Sequence, residues 1–109
     1  MGQNEFEKGM KFSFDQSISY ADKAVVSKHI LKKQKGNISL FAFDKGEGLS
    51  EHTTPFDALV MVVDGKTEIT IDGTIHLLQT GDSIIMPANI PHALKAIEKF
   101  KMVLTMIRD

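Results

Sequence analysis

The 109-residue sequence predicts an all-β domain, a closed or nearly closed antiparallel barrel or sandwich. Three observations predict it. Short apolar runs rich in β-branched and aromatic residues follow one another from residue 24 onward, glycine and proline punctuate them, and no segment carries a helical stripe with caps. About eight short strands at such close intervals must curl up or stack to hide one face each and to protect their edges.

The elements read in order as follows. Residues 1–20 form a loosely organised N-terminal arm, with Phe6, Phe12, Phe14, Ile18 and Tyr20 scattered among polar residues without a period; residues 21–109 form the barrel. The first strand runs over residues 24–31 and the next over 38–43. Residues 58–63, Ala-Leu-Val-Met-Val-Val, are a continuous apolar run, which predicts a strand covered on both faces. Residues 67–71 alternate between apolar and polar, so one face is buried and one is wet. Residues 83–86, 92–97 and 102–107 complete the set. Asp64-Gly65 and Asp72-Gly73 are reversal signals, because glycine accepts the positive φ of tight turns. A two-residue turn at Asp72-Gly73 pairs Ile71 with Thr74 and Ile69 with His76.

Composition removes whole classes of function. Thirteen basic against fourteen acidic residues give a formal charge of 13 − 14 = −1, so there is no basic excess for a nucleic-acid backbone. The absence of cysteine excludes disulfides, thiolate zinc sites and a thiol nucleophile. The polar start of the chain and the lack of a long apolar run predict a cytoplasmic protein without a membrane span. The cluster Lys28, Lys32, Lys33 and Lys35 reads as the solvated face of an outer strand, with a polyanion site as the alternative. Gly48-Leu49-Ser50-Glu51-His52 lacks the last glycine of a nucleophile elbow, and no phosphate-cradling loop is present. Glu51 beside His52 is not an acid–base pair, since consecutive strand residues face opposite ways.

Two stretches carry more. In the first, Gly46, His52 and Gly65 stand at fixed offsets; in the second, Gly81, Pro87 and His92 do. Together they resemble the two signature motifs of the cupin superfamily, G-x5-H-x-H-x3-4-E-x6-G and G-x5-P-x-G-x2-H-x3-N, at the short spacing of the small single-domain, RmlC-like conserved barrels. The resemblance covers roughly residues 36–107 and implies a double-stranded β-helix, or jelly-roll barrel. It also implies a metal site, and here the motif is degenerate. Thr54 stands where the family has its second histidine, Ala58 where it has the glutamate, Asn89 where it has the second motif's glycine and Ala96 where it has the terminal asparagine. Of the family's three histidines and one glutamate, His52 and His92 remain.

Those two residues are the expected metal ligands. A catalytic metal takes about three protein ligands, so a zinc, nickel, copper or iron ion on two imidazoles is weakly held. Asp57 is one residue off the glutamate position and points outward if the strand is regular, as a turn-stabilising or solvated carboxylate, with the carboxylate of a two-histidine, one-carboxylate iron site as the alternative. His76 is expected to share the inward face of Ile69, and His29 to lie on the surface. The expected pocket lining is Thr54, Ala58, Val60, Ile69, His76 and Met86, a surface suited to a small, largely apolar molecule with one polar group. Three readings follow from the resemblance: a barrel binding a small molecule in its interior with metal-dependent enzymatic activity, such as that of a dioxygenase or isomerase; a metal-free ligand-binding or sensing barrel without catalysis; and a regulatory barrel acting through its dimer surface. It further implies a homodimer; the apolar arm, with no obvious place in its own core, is expected to cross to, or pack near, a second subunit.

Overall fold

The computed structural model describes residues 6–109; the first five residues of the expected arm lie outside the described residues. Among the described residues, nine strands form two antiparallel sheets, and the only helical element is a 3-10 turn at Asp15–Ser17. Strands β1 (Val25–Lys33), β2 (Gly36–Phe43), β4 (Asp57–Asp64), β7 (Ser83–Met86) and β9 (Phe100–Ile107) make a five-stranded sheet in the order β1-β2-β9-β4-β7. Strands β3 (Gly48–His52), β5 (Lys66–Ile71), β6 (Thr74–Gln79) and β8 (His92–Ala96) make a four-stranded sheet in the order β3-β8-β5-β6. No helix among the described residues is long and apolar enough to cross a membrane.

The core lies between the sheets. Phe43, Ala58, Val60, Val62, Met86, Phe100 and Met102 from the larger sheet meet Ile69, Leu78, Leu94 and Ala96 from the smaller one. Alternation dictates which residues these are: in β5, Thr67 and Ile69 are buried while Glu68 and Thr70 are only partly so. Phe43 and Phe100 are direct cross-strand partners, and their rings stack with centroids 4.5 Å apart.

Strand β4 departs from the expectation of two covered faces. Its inward residues Ala58, Val60 and Val62 are fully buried, yet outward Leu59 is 41% exposed. Only Met61 and Val63 are covered on the outer side, where they pack against a second cluster of Phe6, Ile18, Leu40, Ala42 and Val103. This cluster is where the N-terminal segment goes. Phe6 and Ile18 are buried against the outer face of the chain's own larger sheet, so these side chains find their partners within one subunit. The segment is pinned by polar contacts as well: the Lys101 ammonium donates to the Asp15 carbonyl at 2.6 Å and carboxylate at 3.1 Å, and the Tyr20 hydroxyl donates to Asp64. Burial first, and then the Asp64 carboxylate, push the Tyr20 hydroxyl's pKa well above the usual tyrosine value, which keeps it a donor.

Of the two Asp-Gly signals, one is a hairpin and one is not. Asp72 and Gly73 both have positive φ, 49° and 81°, and pair Ile71 with Thr74 as the sequence predicts. Asp64-Gly65 instead carries the chain from one sheet to the other, because β4 and β5 belong to different sheets. Gly65 is required there twice over. Its φ is +88°, and a Cβ would lie 2.0 Å from the Lys99 carbonyl oxygen.

Candidate functional site

The site is built where β3 meets β8 and where the inner face of the larger sheet closes beneath them. Strand β3 pairs Gly48 with Lys95 and Leu49 with Leu94, but the next pair is His52 with His92. A regular ladder from Leu49↔Leu94 would place Glu51 opposite His92. One extra residue in β3 therefore shifts the register, and the bulge turns His52 to the same face as Leu49. Gly48 permits the close approach that begins this pairing, since a Cβ there would meet the Leu94 carbonyl oxygen at 2.1 Å.

The two imidazoles consequently sit side by side, ring centroids 4.4 Å apart and planes inclined by 67°. His92 is buried, 3% exposed, while His52 opens to solvent. Each ring is oriented by its own backbone. His52 Nδ1 lies 2.7 Å from the Ser50 carbonyl oxygen, and His92 Nδ1 lies 3.2 Å from that of Ile90. A carbonyl can only accept, so the proton of each neutral ring sits on Nδ1 and the lone pair on Nε2. That is the arrangement by which backbone carbonyls commonly orient metal-binding histidines. Burial lowers the His92 pKa below the usual histidine value, and the His52 ring adds to the effect while the Ile90 contact opposes it.

Beneath the rings lies a cavity of about 60 Å³ lined by Leu49, His52, Thr54, Ala58, Met86, His92, Leu94, Met102, Leu104 and Met106. Among the described residues, no carboxylate, lysine or arginine side chain lines it. Among the described residues, no group of three or more histidine, cysteine or acidic side chains converges on one point. Its loops are fixed by backbone contacts: Asn89, at φ 64°, donates its N–H to the Thr54 carbonyl at 2.7 Å, and the Asp57 carboxylate accepts from the Ala88 N–H at 2.8 Å. Asn89 thus adopts the left-handed conformation that the family's glycine would supply, and Asp57 stabilises a turn rather than facing the cavity.

The structure brings together five of the residues singled out in the sequence: His52, His92, Thr54, Ala58 and Met86. Val60 and Ile69, expected in the lining, are fully buried in the packed core instead. His76 pairs with Ile69 and shares the inward side of β6 with Leu78, while Ile75 and Leu77 point outward. Its strand is the edge of the smaller sheet, two strands from β8, and this distance keeps it out of the cavity. His29 is exposed on β1, with Nδ1 3.1 Å from the Ser39 hydroxyl. Leu49, Leu94, Met102, Leu104 and Met106 also line the cavity but stood outside the sequence reading. Met102, Leu104 and Met106 recur at every second position of one run, a spacing that puts all three on one face of β9.

Comparison with known proteins agrees with this architecture. The family model described as "Cupin domain" matches residues 39–108. A conserved Streptococcus pyogenes protein of unknown function is 33% identical and superposes with a TM-score of 0.91, over 100% of this chain and 96% of that one. A cupin superfamily protein from Desulfitobacterium hafniense is 27% identical with a TM-score of 0.89, over 98% of this chain and 97% of the other. A cupin 2 conserved barrel domain protein from Leptotrichia buccalis is 37% identical with a TM-score of 0.87, over 89% of this chain; the match spans 47% of that protein, about half its length. No curated protein sequence matches the chain.

Proposed function

The chain belongs to the cupin family, as a small single-domain jelly-roll barrel, and from that premise we propose that it binds a small molecule through a weakly held divalent transition metal at His52 and His92. The observation that carries this reading is the pairing of the two rings at 4.4 Å with both Nδ1 atoms engaged by backbone carbonyls. Two Nε2 lone pairs are thereby presented at one cavity. The donor set fits zinc, nickel, copper or iron in kind and falls short in number, because Thr54 and Ala58 replace a nitrogen and a carboxylate donor.

When bound, such an ion supplies a Lewis-acid position with several sites left for ligand atoms. The chain's own residues do the rest. The Ser50 and Ile90 carbonyls hold the rings in one tautomer, Thr54 offers a hydroxyl to position a polar group, and the leucines and methionines exclude water. A cavity of about 60 Å³ is far below the volume of a pocket that encloses a drug-sized molecule. It takes a very small ligand, or the polar end of a larger one whose body stays at the exposed His52 side.

The test is elemental analysis of untagged protein after loading with zinc and dialysis against chelator. This reading expects less than one equivalent to remain in the wild type and close to one in the Thr54→His, Ala58→Glu double variant. A full equivalent in the wild type would mean that a further ligand completes the site. No binding at all on titration would favour the second reading, a metal-free ligand-binding barrel, which the purely neutral lining supports.

The same reading includes a homodimer. On the outer face of the larger sheet, Ile85, Leu59, Thr105, Ile38 and Leu31 are successive cross-strand partners across all five strands. The N-terminal segment covers the neighbouring Leu40, Ala42 and Val103 but leaves Leu59 and Ile85 exposed, the latter by 61%. A row of this length, apolar on both sides of Thr105, suits a second copy of itself across a two-fold axis.

A further inference from the structure

Methionines gather at the histidine pair. Of the described Met10, Met61, Met86, Met102 and Met106, the last three line the cavity that His52 and His92 share. Two of them are placed with particular economy. On the inner face of the larger sheet, Ala58 is the direct cross-strand partner of Met86 on one side and of Met106 on the other. Opposed residues bring their Cβ atoms to within about 5 Å, so thioether-bearing side chains flank Ala58 on both flanks. Ala58 is the position whose acidic counterpart in the family motif would supply an oxygen donor. Here its single methyl group leaves the space open, and the nearest donors along the row are sulfur atoms.

We infer that this cavity is a soft-metal site, in which the Nε2 atoms of His52 and His92 and the thioether sulfurs of Met86 and Met106 hold copper(I). The inference rests on the reading of the histidine pair as metal ligands, replaces the divalent ion of that reading with a monovalent one and adds two further donors. Two arguments select the monovalent ion. Thioether sulfur is a soft donor that favours copper(I), whereas zinc and iron(II) favour imidazole with carboxylate or thiolate. Every donor also binds in its neutral form, and no carboxylate, lysine or arginine among the described residues lines the cavity. The cost of moving an ion out of water rises with the square of its charge, so an apolar, uncharged cavity discriminates against divalent ions. The ion has a way in, because His52 is exposed while His92, Met86 and Met102 are buried.

Methionine is also a common filler of irregular core space, and that role makes a different prediction. Met86→Leu and Met106→Leu keep volume and apolarity, so the fold is retained while the sulfurs are lost. The experiment is an anaerobic competition titration of copper(I) against a chromogenic chelator, on the full chain, for wild type, both single variants, the double variant and Met61→Leu. Zinc(II) is titrated in parallel. The double variant is expected to lose copper(I) affinity by at least about tenfold, the lower end of what even outer-sphere losses cost a metal site. Its zinc affinity should be unchanged, and Met61→Leu, which lies in the outer cluster, should match the wild type. As a second readout, silver(I) is added as a redox-inert probe to protein labelled at the methionine methyls. The Met86 and Met106 methyl resonances should shift together at one equivalent, and those of Met10 and Met61 should not.

Equal copper(I) affinity in the wild type and the Met86→Leu, Met106→Leu variant would overturn the inference and leave the histidine-pair reading standing. Silver-induced shifts that spare Met86 and Met106 would do the same. Failure of the wild type to bind copper(I) and zinc(II) alike would overturn both.

Discussion

Replacing Ala58 by glutamate restores the missing carboxylate at a position whose surroundings the structure defines. Ala58 is 1% exposed, its cross-strand neighbours are Met86 and Met106, and no lysine or arginine among the described residues lines the cavity beside it. In the presence of chelator, Ala58→Glu therefore buries a carboxyl whose polar company is Thr54 and two imidazoles. An incompletely compensated buried ion costs several kcal/mol, and protonation of the carboxyl or of a histidine recovers part of it. The variant should be less stable than the wild type when metal-free. With zinc the sign reverses, because the carboxylate becomes a third ligand beside the two Nε2 atoms. At a free zinc concentration about 100-fold above Kd, binding stabilises the fold by about 2.7 kcal/mol. For a domain of this size that corresponds to a rise of roughly 10–20 °C in Tm. The assay is thermal unfolding followed by dichroism, with zinc and with chelator, for both proteins. The wild type should show only a small difference between the two conditions, and Ala58→Glu a large one. Identical Tm values for Ala58→Glu in zinc and in chelator would refute the placement of Ala58 opposite the histidine pair.

Three further outcomes follow from the same geometry. Unfolded, His92 takes up its proton near the usual histidine value; folded, burial delays that uptake to lower pH, so acidification through this window favours the unfolded chain. Stability should hold above pH ~6.5, the unperturbed histidine value, and fall below it, and His92→Gln should flatten that fall in urea titrations repeated across pH. Tyr20→Phe removes the hydroxyl that donates to Asp64 and should cost about 1–3 kcal/mol, with faster amide exchange in residues 6–20; unchanged exchange would show that the apolar contacts of Phe6 and Ile18 alone hold the segment. Light scattering should report a dimer for the wild type at micromolar concentration and a monomer for Leu59→Lys with Ile85→Lys, and a wild-type monomer would remove the proposed pairing.

Much of the barrel could be read from local chemistry. Gly46, Gly65, Gly81 and Pro87 mark the motif corners, the Asp72-Gly73 pair fixes one hairpin, and Asn89 accepts the left-handed conformation that glycine would otherwise supply. The parts that were not legible depend on contacts between distant segments. The extra residue between Leu49 and His52 leaves no mark in the sequence, because Ser50 and Glu51 suit a regular strand as well as a bulged one. Asp64-Gly65 looks like Asp72-Gly73, and only the assignment of β4 and β5 to different sheets distinguishes a corner from a hairpin. The methionines of β9 fall outside both motifs, so their place beneath the histidines appears only once β9 pairs between β2 and β4. Val60 and Ile69 have the right parity for an inward face, yet inward positions divide between cavity and packed core according to depth along the barrel, which alternation does not encode.

The central claim is that two imidazoles present their Nε2 atoms together, and imidazole nitrogen NMR reads this directly. In metal-free protein near neutral pH, both His52 and His92 should carry their proton on Nδ1, held by the Ser50 and Ile90 carbonyls. On addition of zinc, both Nε2 resonances should move together while the Nδ1 protons persist. A proton on Nε2 of either ring in the metal-free protein, or zinc that shifts one ring and leaves the other unmoved, would contradict the account.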